Sequence, residues 1–128
     1  MEFHYTVSTD KNMEDVIQAI ELQLQKHNFG VLWQLDLAQK LQSKGIPFDR
    51  QYRVLEVCNP FEAARVLEKN DLVGYFLPCK IVVFEQNGKT HIGLPKPTVL
   101  IGLLYDEELQ AIAEEIEKTL IQVLESSK

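Results

Sequence analysis

Cysteine is the residue type in this chain best suited to nucleophilic or redox chemistry, and the sequence holds two, each beside a proline at the edge of an apolar run: Val57-Cys58-Asn59-Pro60 and Phe76-Leu77-Pro78-Cys79-Lys80. Proline fixes φ, lacks a backbone N–H and restrains the residue before it, so both segments read as defined strand ends. The thiolate is the reactive form, and the Lys80 ammonium favours it at Cys79 if the two lie within a few ångströms. If the strands are neighbours, Cys58 and Cys79 approach the ~5.5 Å Cα separation a disulfide requires. The spacing is not Cys-x-x-Cys, so a thioredoxin-like mechanism has no local support, and two cysteines do not make a disulfide framework. The plainer role for Cys79 is that of a small buried hydrophobe, the commoner fate of a free cysteine.

The other soft donors, His4, His27 and His91, are scattered without zinc-type spacing, so no metal is assigned. His91 reads as solvent-facing. Asp36 ends an apolar strand, where desolvation raises a carboxyl pKa, but the N-cap of the helix that follows explains it as well and is the preferred reading. Asn59 before Pro60 has the same two readings, and the cap is again preferred. Glu107, Glu108, Glu114, Glu115 and Glu117 form a solvated helix face. No Gly-x-Ser-x-Gly elbow, Walker loop, Gly-x-Gly-x-x-Gly turn or His-Glu-x-x-His helix occurs, which removes the usual warrant for hydrolase, nucleotide or zincin chemistry. The sequence names no cofactor.

These residues must be positioned by elements the pattern predicts. Phe3, Tyr5 and Val7 alternate with polar residues, the mark of a half-buried strand. Asn12 caps a helix running to about His27, with Met13, Val16, Ile17, Ile20 and Leu24 on one face. Asn28 or Gly30 ends it. A second strand spans 29–36, with Phe29, Val31, Trp33 and Leu35 expected on a shared face. A short helix over 37–43 is interrupted by Gly45 and Pro47, and a third strand covers 51–58. Pro60 suits the first position of a helix over 61–69. Residues 79–85 and 90–94 form a hairpin through Asn87-Gly88, a type I′ turn signal. Pro95 and Pro97 then divert the chain from the sheet, and Asp106 caps a last helix with a 3.6-residue apolar stripe from Leu109 to Leu124.

The result is a single α+β domain over residues 1–128: a mostly antiparallel sheet of about five strands covered on one face by the two longer helices. Hydrophobic residues make up 45% and charged residues 25%, the composition of a globular protein. The formal net charge of -6 repels phosphate backbones and argues against a nucleic-acid partner. No run approaches ~18 apolar residues and the start lacks a basic n-region and an apolar h-region, so no membrane partner and a cytoplasmic location are expected.

The run Tyr52-Arg53-Val54-Leu55-Glu56-Val57-Cys58-Asn59-Pro60, then Ala63 or Ala64, then Gly74-Tyr75-Phe76-Leu77-Pro78-Cys79 and a valine-rich strand, resembles the bacterial and archaeal "domain of unknown function 302" family. Phe29-Gly30-Val31-Leu32 followed by Asp36 matches its early strand. The resemblance implies a β-α-β(4)-α-like α+β domain, often dimeric, and no established activity. Two positions depart from the family pattern: Glu56 stands in place of a glycine, and Lys80 in place of an asparagine after Leu-Pro-Cys.

The functional expectation is a non-enzymatic binding module, dimeric through surplus apolar and aromatic residues on the sheet. Its site lies around Trp33, Asp36, Cys58, Asn59, Pro60, Pro78, Cys79 and Lys80, and accepts a small molecule or a partner protein. The alternative is a thiol protein with Cys79 attacking and Cys58 resolving, in redox, sulfur-transfer or sensing chemistry.

Overall fold

The structure, a computed structural model, describes residues 2–128. In chain order the elements are β1 (His4–Thr9), α1 (Met13–Lys26), β2 (Gly30–Asp36), α2 (Leu37–Ser43), β3 (Tyr52–Cys58), α3 (Pro60–Lys69), a 3₁₀ helix (Asp71–Tyr75), β4 (Cys79–Gln86), β5 (Lys89–Pro95), α4 (Pro97–Gly102) and α5 (Glu107–Ser127). The strands form one sheet in the order β1-β5-β4-β3-β2, with every neighbouring pair antiparallel. An α+β fold with a five-stranded antiparallel sheet is therefore what the chain adopts.

Period-two alternation decides which face is buried. Leu55 and Val57 on β3, Ile81 and Val83 on β4, and Ile92 and Leu94 on β5 are all buried, and they meet the apolar stripes of α1 and α5. All seven stripe residues expected on α5, from Leu109 to Leu124, are buried. Truncating such a core side chain to alanine costs roughly 2–5 kcal/mol, so this layer dominates stability. The alternating residues Tyr52, Val54, Val82, Phe84 and His91 lie on the other face, half-buried and left free by the two long helices.

Local chemistry explains the boundaries. Asn12, Asp36, Asn59 and Asp106 each cap a helix by accepting a backbone N–H from its first turn. Asn28, with φ 64°, supplies the left-handed residue after α1, and Asn87 and Gly88, with φ 54° and 77°, make the type I′ turn of the β4–β5 hairpin. Gly30 is instead a strand residue. The Leu77–Pro78 peptide is cis.

Four expectations are corrected. Phe29, Val31, Trp33 and Leu35 do not share a face, because a bulge lies between Val31 and Trp33. Val31 opposes buried Val57, whereas Trp33 opposes Glu56 and Leu35 opposes Val54, on the open side. Pro95 does not leave the sheet: it closes β5 opposite His4, and it is Pro97 that starts α4. His91 is not a bare solvent-facing residue, since its ring stacks on Phe84 with centroids 5.2 Å apart, continuing a stack of Phe84 on Tyr52 at 5.5 Å. Glu117 is more than part of a solvated face: its Oε1 accepts from the backbone N–H (3.1 Å) and hydroxyl (2.7 Å) of Thr98, tying α4 to α5.

Candidate functional site

The ends of β4 and β5 leave a gap that α4, α5 and the segment after the 3₁₀ helix do not fill. A cavity of about 350 Å³ results. Ile116 and Leu120 of α5 and Val66 of α3 form its inner wall, and Pro97, Leu100 and Ile101 of α4 close one side. Tyr75, Phe76, Leu77 and Pro78 supply another side, and Cys79, Lys80, Glu56 and Pro95 the strand ends. The lining draws on both faces of the sheet: Cys79 belongs to the helix-covered set, opposite buried Val57, and Lys80 and Glu56 oppose each other on the open side. The cavity thus reaches from between the layers, around the strand ends, to a charged mouth. Its size and mostly apolar wall with a few polar groups fit the range of small-ligand sites.

Local sequence places these groups. Pro78 sets the entry to β4, so Cys79 and Lys80 are its first two residues and point to opposite faces by alternation. Pro97 preorganises the first turn of α4, and Glu117 holds that turn in place. Ile116 and Leu120 sit four residues apart on the α5 stripe and so share a face. Glu56 faces Lys80 on β4 and Trp33 on β2, forming a row Trp33-Glu56-Lys80 across three strands.

The cysteines are both free and both half-buried. Their register is offset, with Cys79 opposite Val57 and Cys58 opposite Gly30, so they are not a directly opposed cross-strand pair. They do line one small void of about 20 Å³ beneath α3, together with Asn59, Ala63 and Val66. Burial pushes the Cys79 thiol up to about 11, and nearby Cys58 adds to the rise. Burial also raises Cys58. Lys80 does not overcome desolvation at its neighbour, as its own side chain lies on the other face.

Of the residues expected at the site, Pro78, Cys79 and Lys80 line the cavity, while Cys58 and Asn59 line the smaller void. Asn59 also accepts from the N–H groups of Phe61 (3.0 Å) and Glu62 (3.4 Å), and Pro60 is the first residue of α3. Asp36 caps α2 through Gln39 at 3.0 Å and lies 3.7 Å from the Arg53 Nε. Trp33 is half-exposed beside the mouth. Sequence reasoning missed the α4 wall and Tyr75. It placed Ile116 and Leu120 on the core stripe but had no sign that a cavity adjoins them. Among the described residues no group of three or more His, Cys, Asp or Glu is placed to hold a metal ion, and no helix is long and apolar enough to cross a membrane.

Comparison with known proteins agrees with this architecture. No curated protein matches the chain. The chain is similar to the crystal structure of an uncharacterised conserved DUF302 protein from Bacillus stearothermophilus, at 51% identity over 100% of both chains with a TM-score of 0.97. The family model described as "Domain of unknown function DUF302" matches residues 5–127, and with nearly the whole sequence covered, the chain belongs to that family.

Proposed function

We propose that this protein is a non-enzymatic binding module whose cavity at the β4 and β5 ends takes a small, largely apolar molecule. The observation that carries this reading is the cavity itself: about 350 Å³, walled by aliphatic and proline side chains, and open to a mouth with one cation and one anion. Burying a ligand there removes apolar surface from water at ~25 cal/mol per Å². The raised Cys79 thiol favours this reading over a thiol mechanism, because a protonated sulfur is a weak nucleophile and a good apolar lining atom.

The reading also includes a second copy of the chain on the open sheet face. Five strands of six to eight residues span roughly 24 by 23 Å at ordinary spacings. A second copy over the part of that area away from the Trp33-Glu56-Lys80 row leaves the cavity mouth open and buries less than the ~800 Å² per partner of a standard interface. Half-buried Val54, Val82 and Phe84 lie at its centre.

The cavity reading is tested by titrating the protein with an apolar fluorescent probe, anilinonaphthalene sulfonate, beside a filled variant, Ile101→Phe. Saturable one-site binding to the native protein, weakened at least tenfold in a folded variant, supports it. Absence of saturable binding, or equal binding by both proteins, rejects it.

A further inference from the structure

The mouth of the cavity carries an arrangement that an apolar wall alone does not need. Glu56 and Lys80 are directly opposed on β3 and β4, which sets their Cα atoms about 4.5–5.5 Å apart. Opposite charges so placed are positioned to pair across the ladder. Among the described residues, however, neither side chain makes an ion pair or a side-chain hydrogen bond, whereas Arg53 pairs with Glu14 at 2.5 Å and Arg65 with Glu62 at 3.0 Å. Both line the cavity. The next residue along the row from Glu56 is Trp33, half-exposed on the same face.

We propose that the ligand is a free α-amino acid with an apolar side chain, its ammonium held by Glu56 and its carboxylate by Lys80. This rests on the cavity reading above and adds the head group to it. An α-amino acid carries both charges on one carbon, so a single small head satisfies two fixed opposite charges at strand spacing. A lone carboxylate would meet Lys80 but be repelled by Glu56, and a lone amine the reverse. Trp33, opposite Glu56 in the same row, is near enough for an aromatic ring to join in holding the same ammonium. The apolar side chain then occupies the pocket between Leu100, Ile101, Ile116 and Leu120.

Calorimetric titration of the full chain with L-phenylalanine, 3-phenylpropionate and 2-phenylethylamine tests the assignment, because the three share one apolar body and differ only in head group. The amino acid is expected to bind at least tenfold more tightly than either analogue. Glu56→Gln should erase most of its advantage over 3-phenylpropionate, and Lys80→Gln most of its advantage over 2-phenylethylamine, with anilinonaphthalene sulfonate still binding the cavity of each variant to show that the fold and pocket persist. Equal affinity for all three compounds, or ratios unmoved by the two substitutions, overturns the head-group assignment. If the fluorescent probe binds wild type in the same samples, only that assignment falls. If the probe does not bind wild type either, the cavity reading falls with it.

Discussion

The proton on Cys79 is held by burial, and nearby Cys58 holds it further. A thiol raised from its ordinary value to about 11 adds to stability while it stays protonated in both states, below the unfolded value near 9. That contribution is lost as pH rises through the folded value. Between pH 9 and 11 the wild type is therefore expected to lose on the order of 2 kcal/mol more unfolding free energy than Cys79→Ala, a difference chemical denaturation at stepped pH measures. Native iodoacetamide labelling at neutral pH should accordingly modify Cys58 before Cys79, with both reacting once the chain is unfolded. Faster labelling of Cys79 would contradict the burial described here and reopen a thiol mechanism.

At the scale of elements, the close pairing of β1 with β5 depends on a residue without a side chain. Gly93 opposes Thr6, and a Cβ built on it would lie 2.7 Å from the Thr6 Oγ1, closer than real atoms approach. Thr6 is β-branched and its hydroxyl already bonds His4 Nδ1 at 2.9 Å, so its freedom to turn away is limited. Gly93→Ala is expected to destabilise by about 1–3 kcal/mol in urea denaturation. In a Thr6→Ala background the same change should cost distinctly less, since the clashing oxygen is gone, and additive costs would show that the contact is not the cause. The bulge in β2 acts at the same scale: one extra residue turns Trp33 and Leu35 from the helix layer to the open face, and so brings Trp33 beside Glu56.

For the whole molecule, one sheet face is sealed by α1 and α5 and the other presents Val54, Val82 and Phe84 to its surroundings. Phe84→Lys places a charge at the centre of that face without touching the helix-side core. If two copies meet there, sedimentation equilibrium should give a dimer for wild type and a monomer for the variant, because a buried unpaired charge costs several kcal/mol. A wild-type monomer, or a variant that remains dimeric, removes the second copy from this face.

The sequence alone determined what depends on near neighbours along the chain. The α1 and α5 stripes follow from 3.6-residue periodicity, four caps follow from Asn and Asp at helix starts, and the hairpin follows from Asn87-Gly88, since propensity, capping and turn geometry act within a few residues. The strand-end location of Cys79 and Lys80 was legible for the same reason, through Pro78. Tertiary structure decided the rest. Whether Trp33 faces the helices depends on a bulge in strand pairing, and whether Glu56 meets Lys80 depends on the register between strands more than twenty residues apart. The cavity exists only because α4, invisible as a six-residue piece after two prolines, packs on α5 without filling the space at the strand ends. Voids are what packing leaves over, and no local pattern of residue types records them.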